Sequence, residues 1–463
     1  MSGELENVTL PQGASIEEAL RIIDLNKLGI TFAVDEIGRV CGLVTDGDIR
    51  RQMLKSNDLG VAISDFMTRN FVFVDQSASR EHILKLLDHQ VRVLPVLDRE
   101  RRLVRLCTRD HFHLQDDNEV YVRARAPARI SFGGGGSDLT HHFFDQGGMV
   151  VSATIAKYAD ASLRKRADGA IRIYSHDLKM TARAENLAAL DFDGNLDLIK
   201  SVVRLIAPDF GFELEAGTDF PVGSGLGGSA SLAVAIIGCF NEFRAAPWNR
   251  YQIAEMAFQA ERLHLNIPGG WQDQYAAAFG GFNYMEFSAE ENLIIPLRLE
   301  PNILRELEAC VLLCHTGKNH NSGRIHDDQK KQMASSASAQ SAIQRQKDMT
   351  GAMKRRLLRG DLQGYGQLLH EAWQAKRELS SLISNSDIDR IYDEARKAGA
   401  LGGKILGAGG GGYLMLFVPP FRRYAVADAV EALGHVCERI TLDDAGLVSW
   451  KIRASELPGE TQV

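Results

Sequence analysis

Apolar positions in the first 115 residues follow the same order twice. In SIEEALRIIDLNKLGITFAVDEIGRVCGLVTDGDIRR (15–51), apolar residues at helical spacing lead into the run ITFAV. A charged turn (Asp35-Glu36-Ile37-Gly38), a second apolar run and a helix opened by Asp46-Gly47-Asp48 follow. SREHILKLLDHQVRVLPVLDRERRLVRLCTRDHF (79–112) repeats helix, strand, turn (Asp98-Arg99-Glu100-Arg101) and strand. Neither half can bury its own apolar face, so the two copies are expected to pack against each other. Residues 113–120 (HLQDDNEV) are polar and acidic, as a linker would be. From Tyr121 the pattern changes to strand-like and helix-like stretches punctuated by glycine clusters, which predicts one larger α+β unit with two lobes. Segment 326–357 carries Met, Ala and Ile at amphipathic helical spacing and no chemistry.

Three glycine clusters stand out. The middle one runs Phe220-Pro221-Val222-Gly223-Ser224-Gly225-Leu226-Gly227-Gly228-Ser229-Ala230-Ser231 and opens the apolar helix pattern LAVAIIGCFNEF. Glycines let backbone N–H groups approach a polyanion, and a helix N-terminus adds partial positive charge. The hydroxyls of Ser224, Ser229 and Ser231 can reach phosphate oxygens or a divalent cation. A tight turn before a buried helix is the plainer reading of the same residues. No Walker-type G-x-x-x-x-G-K-[ST] occurs, and the spacing does not meet the dinucleotide fingerprint G-x-G-x-x-G. The first cluster, Arg129-Ile-Ser-Phe-Gly133-Gly134-Gly135-Gly136-Ser137-Asp138, brings an arginine on a strand to a loop that presents an acid. A carboxylate there could accept hydroxyl hydrogen bonds from a polyol. The third, Lys404-Ile-Leu-Gly407-Ala-Gly409-Gly410-Gly411-Gly412, precedes the strand-like YLMLFV. Read alone, the first and third clusters are equally well turns.

The stretch QIAEMAFQAERLHLNIPGGWQDQYAAAFGG adds two acids: Glu261 on a helix ended by Pro268-Gly269-Gly270, and Asp273 opening an Ala-rich helix. Locally, Asp273 also reads as a helix cap and Glu261 as part of a solvated face. Composition limits the rest. The 463 residues carry 53 Lys plus Arg against 60 Asp plus Glu, a formal charge of -7, which excludes a broadly basic nucleic-acid coat. No stretch is long and apolar enough to span a bilayer, and the acidic N-terminus is unlike a signal peptide. The six cysteines lie mostly in apolar runs without a CxxC, so all are expected as buried free thiols in a cytoplasmic protein. The histidines form no HExxH and have no cysteine partner, so no zinc site is expected.

The duplicated segment resembles a tandem CBS pair, on the residues Gly42-Leu-Val-Thr45-Asp-Gly-Asp48; in the second copy, Thr108-Arg109-Asp110 places the acid one residue early. The resemblance implies that an adenine nucleotide or nucleotide-sugar binds near Thr45 and Asp48, and a homo-oligomer, because such pairs often dimerise. From residue 121 onward, the three clusters in this order resemble the GHMP small-molecule kinases, with Gly228 standing where the family has a serine. The implied fold is α+β, a two-lobed kinase preceded by a small α/β tandem module. Its parts would be 1–115, a linker at 116–120, an N-terminal lobe at 121–300 and a C-terminal lobe at 301–463. The implied cofactors are ATP, wrapped by Pro221 to Ser231, and Mg2+, held by Ser229 and Glu261. Asp273 is implied as the catalytic base and Arg129 as the group orienting it.

Within that family the motifs are most similar to D-glycero-D-manno-heptose 7-phosphate kinases. The residues are Gly134 to Asp138, Gly269-Gly270-Trp271-Gln272-Asp273-Gln274-Tyr275, His315-Thr316-Gly317 with Ser322, Trp373 with Lys376 and Arg377, and Gly402 to Gly412. This implies phosphorylation of the anomeric C1 hydroxyl of a sugar phosphate, giving a 1,7-bisphosphate. Gly135, Gly136, Ser137, Asp138, Gly409 and Gly410 are then expected at the sugar. Lys318, Arg324, Lys376 and Arg377 are the candidates to receive its existing phosphate. A kinase for an unphosphorylated sugar and a catalytically idle sensor of sugar and ATP are the competing readings.

Overall fold

The computed structural model describes residues 7–109, 120–317 and 337–453, together with 323, 325, 328, 331 and 332. Two compact units emerge, 1–117 and 118–463.

In the N-terminal unit, strands Thr9–Pro11, Ile30–Val34 and Val40–Thr45 form one sheet, and Val74–Asp75, Val93–Leu97 and Leu103–Thr108 form another. Each has a parallel pair followed by an antiparallel pair, with a register shift at the matching place, Ala33/Val34 in one and Val96/Leu97 in the other. The helix Ile16–Asn26 starts at a capping box in which Ser15 and Glu18 satisfy each other's backbone N–H. The halves meet through Ile30, Phe32, Val40 and Leu97, so each copy covers the apolar face of the other.

The larger unit is built on the 19-residue strand Gly148–Arg166, which pairs with Val120–Gly133, Gly211–Thr218, Phe282–Phe287 and Leu442–Asp443 in a nine-stranded sheet. Against it packs the helix Gly228–Asn241, whose residues from Ala230 to Phe240 are buried apart from Leu232. Apolar on all sides, this helix can only be a core element. A second sheet orders Gly402–Ile405, Tyr413–Phe417, Val311–His315 and Cys437–Arg439. Helices Ala337–Leu358, Leu362–Arg377 and Ser386–Ala398 belong to this part of the unit. The last of these opens on an Asn385 cap and stops at Gly399, whose φ of 119° few other residues adopt. One cluster, including Ile130, Phe132, Tyr365, Met415 and Phe417, joins the two sheets.

Two findings differ from expectation. Strand Val448–Arg453 pairs with Val120–Gly133, so the end of the chain, expected in the C-terminal lobe, lies in the sheet of the N-terminal lobe. Cys314 and Cys437, expected as free thiols, form a disulfide. Antiparallel register sets them directly opposite, with Cα atoms 4.3 Å apart across 123 residues of sequence. Cys41, Cys107, Cys239 and Cys310 are free. Among the described residues no helix is long and apolar enough to cross a membrane.

Candidate active site

The three glycine clusters converge on one cavity of about 670 Å³. Its seam is backbone against backbone. A Cβ on Gly225 would lie 2.6 Å from the carbonyl oxygen of Leu406, and one on Gly412 would lie 2.4 Å from that of Ser224. Glycine is required at both places because the other loop fills the space a side chain would need. The Tyr413 N–H donates to the Ser224 carbonyl at 2.9 Å, tying the second sheet to the middle loop.

At the mouth of that loop, the helix Gly228–Asn241 begins without any side-chain cap, so its first N–H groups are open to a ligand. Leu178, Leu196, Leu198, Ile199, Val222 and Leu232 form an apolar flank to the same cavity. An uncapped helix end beside an apolar slot suits a flat base carrying a phosphate chain.

Arg129 reaches the loop from the strand Val120–Gly133. It is 4% exposed, and its Nε and Nη2 both lie 2.7 Å from Asp273 Oδ1, while its Nη1 donates to the Gly225 carbonyl at 2.6 Å. One guanidinium therefore ties the carboxylate of Asp273, in the first turn of helix Gln272–Phe279, to the middle glycine loop. Both bonds fall on Oδ1; Oδ2 has no protein partner among the described residues, and Asp273 lines the cavity.

Ser229 and Glu261 meet at the same end. The Ser229 hydroxyl donates to Glu261 Oε1, Gln274 Nε2 donates to Oε2 at 2.8 Å, and Arg262 Nη1 lies 3.4 Å from Oε1. Glu261 sits in a π-helical turn, Gln259–His264, which continues from helix Arg250–Phe258 and is a rare geometry that often marks a functional position. Two hard oxygen donors beside an uncapped helix end fit a magnesium ion that draws most of its shell from phosphates and water. Among the described residues no group of three or more His, Cys, Asp or Glu side chains could hold a metal alone.

The sugar-side residues divide. Gly135, Gly136 and Asp138 line the cavity. Asp138 is 3% exposed and accepts from the Gly136 N–H at 3.0 Å and from Gln272 Nε2 at 2.9 Å. Ser137, expected at the sugar, is instead structural: its hydroxyl donates to the Gly134 and Met149 carbonyls and accepts from the Met149 N–H. Gly409 and Gly410 turn away toward Ile383, and the cavity takes Gly407 and Ala408 from the third cluster. Lys376 lines the cavity, 3% exposed, donating to the Gly407 carbonyl at 2.7 Å. Arg377, one helical step on, faces elsewhere and pairs with Asp389 at 3.0 Å. Lys318, Arg324 and Ser322 lie outside the described residues.

Within the middle loop, Pro221, Gly223, Ser224, Gly225, Gly227, Gly228 and Ser229 face the cavity. Leu226 and Ala230 are buried in the core, and the Ser231 hydroxyl donates to the Pro127 carbonyl at 2.9 Å rather than to a ligand. Sequence reasoning passed over Lys404, Gln272 and Ser131, all of which line the cavity. The available signal was Lys404 itself, a lysine inside the otherwise apolar strand Gly402–Ile405, whose every residue is buried. In the N-terminal unit, Thr45 and Asp48 form a capping box at helix Asp46–Met53, and Arg51 holds the other Asp48 oxygen at 2.5 Å.

Comparisons with known proteins match these parts. Residues 197–281 match the model of the GHMP kinases N terminal domain, 353–436 that of the GHMP kinases C terminal domain, and 3–55 and 63–112 that of the CBS domain. The chain is 37% identical over 345 residues to a D-glycero-alpha-D-manno-heptose 7-phosphate kinase of Campylobacter jejuni, covering 72% of this chain and 99% of that protein. It is 25% identical over 338 residues to an L-fucokinase/L-fucose-1-P guanylyltransferase of Bacteroides fragilis, of which it spans 35%. Among solved structures, a D-glycero-D-manno-heptose 1-phosphate kinase from Bacteroides thetaiotaomicron superimposes with a TM-score of 0.62 at 32% identity, covering 72% of this chain and all of that one.

Proposed function

Because the chain belongs to the GHMP kinase family and is an ATP-dependent sugar kinase, we propose that it phosphorylates the anomeric C1 hydroxyl of a heptose that already carries phosphate at C7. The overall change is ATP plus sugar 7-phosphate to ADP, sugar 1,7-bisphosphate and a proton. The observation that carries this reading is the chain Asp273–Arg129–Gly225 carbonyl, which couples a carboxylate to the phosphate-side loop within one cavity. Asp273 Oδ2 accepts the C1 hydroxyl proton. Arg129 holds Asp273 in place through Oδ1 and adds positive charge where the transferred group crosses. The Gly223–Gly228 backbone and the open helix end cradle the triphosphate, and the apolar flank takes the base. Ser229 and Glu261 would hold Mg2+, whose chemistry is to neutralise charge on the phosphates. Asp138 and Gln272 hold sugar hydroxyls, and Lys376 faces the sugar's existing phosphate.

The two heptose kinase relatives are named for phosphate at different carbons, so the position is the point to test. A panel of heptose 7-phosphate, heptose 1-phosphate, unphosphorylated heptose, fucose and galactose, with phosphorus NMR of the product, distinguishes them. The expected result is turnover of the 7-phosphate to a 1,7-bisphosphate; preference for an unphosphorylated sugar overturns the reading. The N-terminal unit is read as a nucleotide sensor at Thr45 and Asp48, assembled in a homodimer. Repeating the panel with AMP and with a nucleotide-sugar is expected to change the rate, and an unresponsive enzyme counts against a regulatory role.

A further inference from the structure

A charge imbalance remains at the sugar end of the cavity. Arg129 is paired with Asp273, Arg262 lies against Glu261, and Asp177 accepts from the Ser175 and Thr218 hydroxyls, which leaves Lys376, Lys404 and Asp138. Lys376 and Lys404 are each 3% exposed, and neither has a carboxylate within ion-pair distance among the described residues. Lys376 leans on the Gly407 carbonyl, whereas Lys404 has no hydrogen-bond partner among them. Two buried cations facing one hydrogen-bonded carboxylate are costly unless something anionic joins them.

The space in front of Lys404 is also short of partners. Lys404 Nζ lies 3.9 Å from the point where a side chain on Gly135 would begin, and Ser131 Oγ lies 3.6 Å from that point. Ser131 Oγ and Gln272 Oε1 are buried without any hydrogen-bond partner. A lysine amine, a hydroxyl and the Gln272 amide nitrogen, 3.9 Å away and already donating to Asp138, thus surround an open position made by a glycine. That set suits a phosphoryl group, because a protonated lysine and the serine hydroxyl both donate to phosphate oxygens.

We propose that Lys404 acts with Lys376 and Ser131 as the receptor for a phosphate already present on the sugar, and so sets the preference for a phosphorylated substrate. The proposal rests on the reading of a sugar phosphate as substrate. The titration of both lysines agrees with it. Burial, and then the charge of Arg129, lower Lys376 to about 7; burial, Lys376 and Arg129 hold Lys404 well below its ordinary value, while Asp138 pulls both upward. A bound dianion would restore both charges.

The test measures kcat/KM for heptose 7-phosphate and for unphosphorylated heptose in wild type, Lys404→Met and Lys404→Arg. The expected result is that the ratio of the two falls at least about tenfold in Lys404→Met, with partial recovery in Lys404→Arg. An unchanged ratio, or a loss confined to the KM for ATP, overturns the proposal; the second outcome would assign the lysine to the transferred phosphate. Inorganic phosphate inhibition of the wild type provides a readout that needs no variant to fold. It should compete with the sugar phosphate and not with ATP, and failure to compete with the sugar overturns the receptor. Equal use of both sugars by the wild type would overturn the substrate reading, and is seen before any variant is compared.

Discussion

Asp273 does little by itself; its use comes from which of its oxygens is occupied. With Oδ1 taken twice by Arg129, Oδ2 is the oxygen free to accept a proton, and the same arginine fixes its distance from the loop. Lys376 gives this scale its prediction. In the free enzyme burial, and then the charge of Arg129, lower its pKa to about 7 against the pull of Asp138, so it is a cation below that pH and neutral above it. Only the cation attracts phosphate, so affinity is full at lower pH and is lost as pH rises. The KM for a phosphorylated sugar should climb above about pH 7, by at most about tenfold per unit, relative to the unphosphorylated sugar. Matching profiles for the two sugars would contradict the assignment.

Elements decide which motif residues become site residues. The middle cluster was legible because its chemistry belongs to the backbone: glycines at Gly223, Gly225 and Gly227 all adopt positive φ, and few other sequences support that run. The roles of Arg129, Ser229, Glu261 and Asp273 came from the family resemblance; from local sequence Asp273 reads equally as a helix cap and Glu261 as a solvated face. Direction was not legible. Lys376 and Arg377 are adjacent in sequence, but a helical step of about 100° sends one into the cavity and the other to Asp389. Ser137 had the right chemistry, yet its hydroxyl is consumed by the turn it stabilises. Lys404 was hidden because a lysine on a short strand ordinarily marks an exposed edge. The loop seam yields a direct test. In Gly225→Ala, the new methyl falls 2.6 Å from the Leu406 oxygen at a φ of 79°. Stability should drop by about 1–3 kcal/mol in denaturant unfolding, and kcat/KM for ATP should fall more than about tenfold. Unaltered ATP kinetics would separate the seam from phosphate binding.

At the scale of the molecule, chain order and spatial order part company. Strand Val448–Arg453 returns to pair with Val120–Gly133, the strand that delivers Arg129, so a late segment of the chain braces one of the first site elements. No local pattern announces such a pairing across more than 300 residues, nor the Cys314–Cys437 bond. The duplication in the N-terminal unit was readable because each half repeats one strand order within about 40 residues, and local order survives in sequence. The larger unit brings three distant clusters, with four acids and four cations, to one cavity, and the central claim is that this cavity transfers phosphate with Asp273 as base. Its most direct test is the rate of ADP release with heptose 7-phosphate at saturating ATP, in wild type and Asp273→Asn, with ATP binding measured alongside. The account predicts a fall in kcat of about 10²–10⁴-fold with ATP binding retained. Equal rates in the two proteins would contradict it.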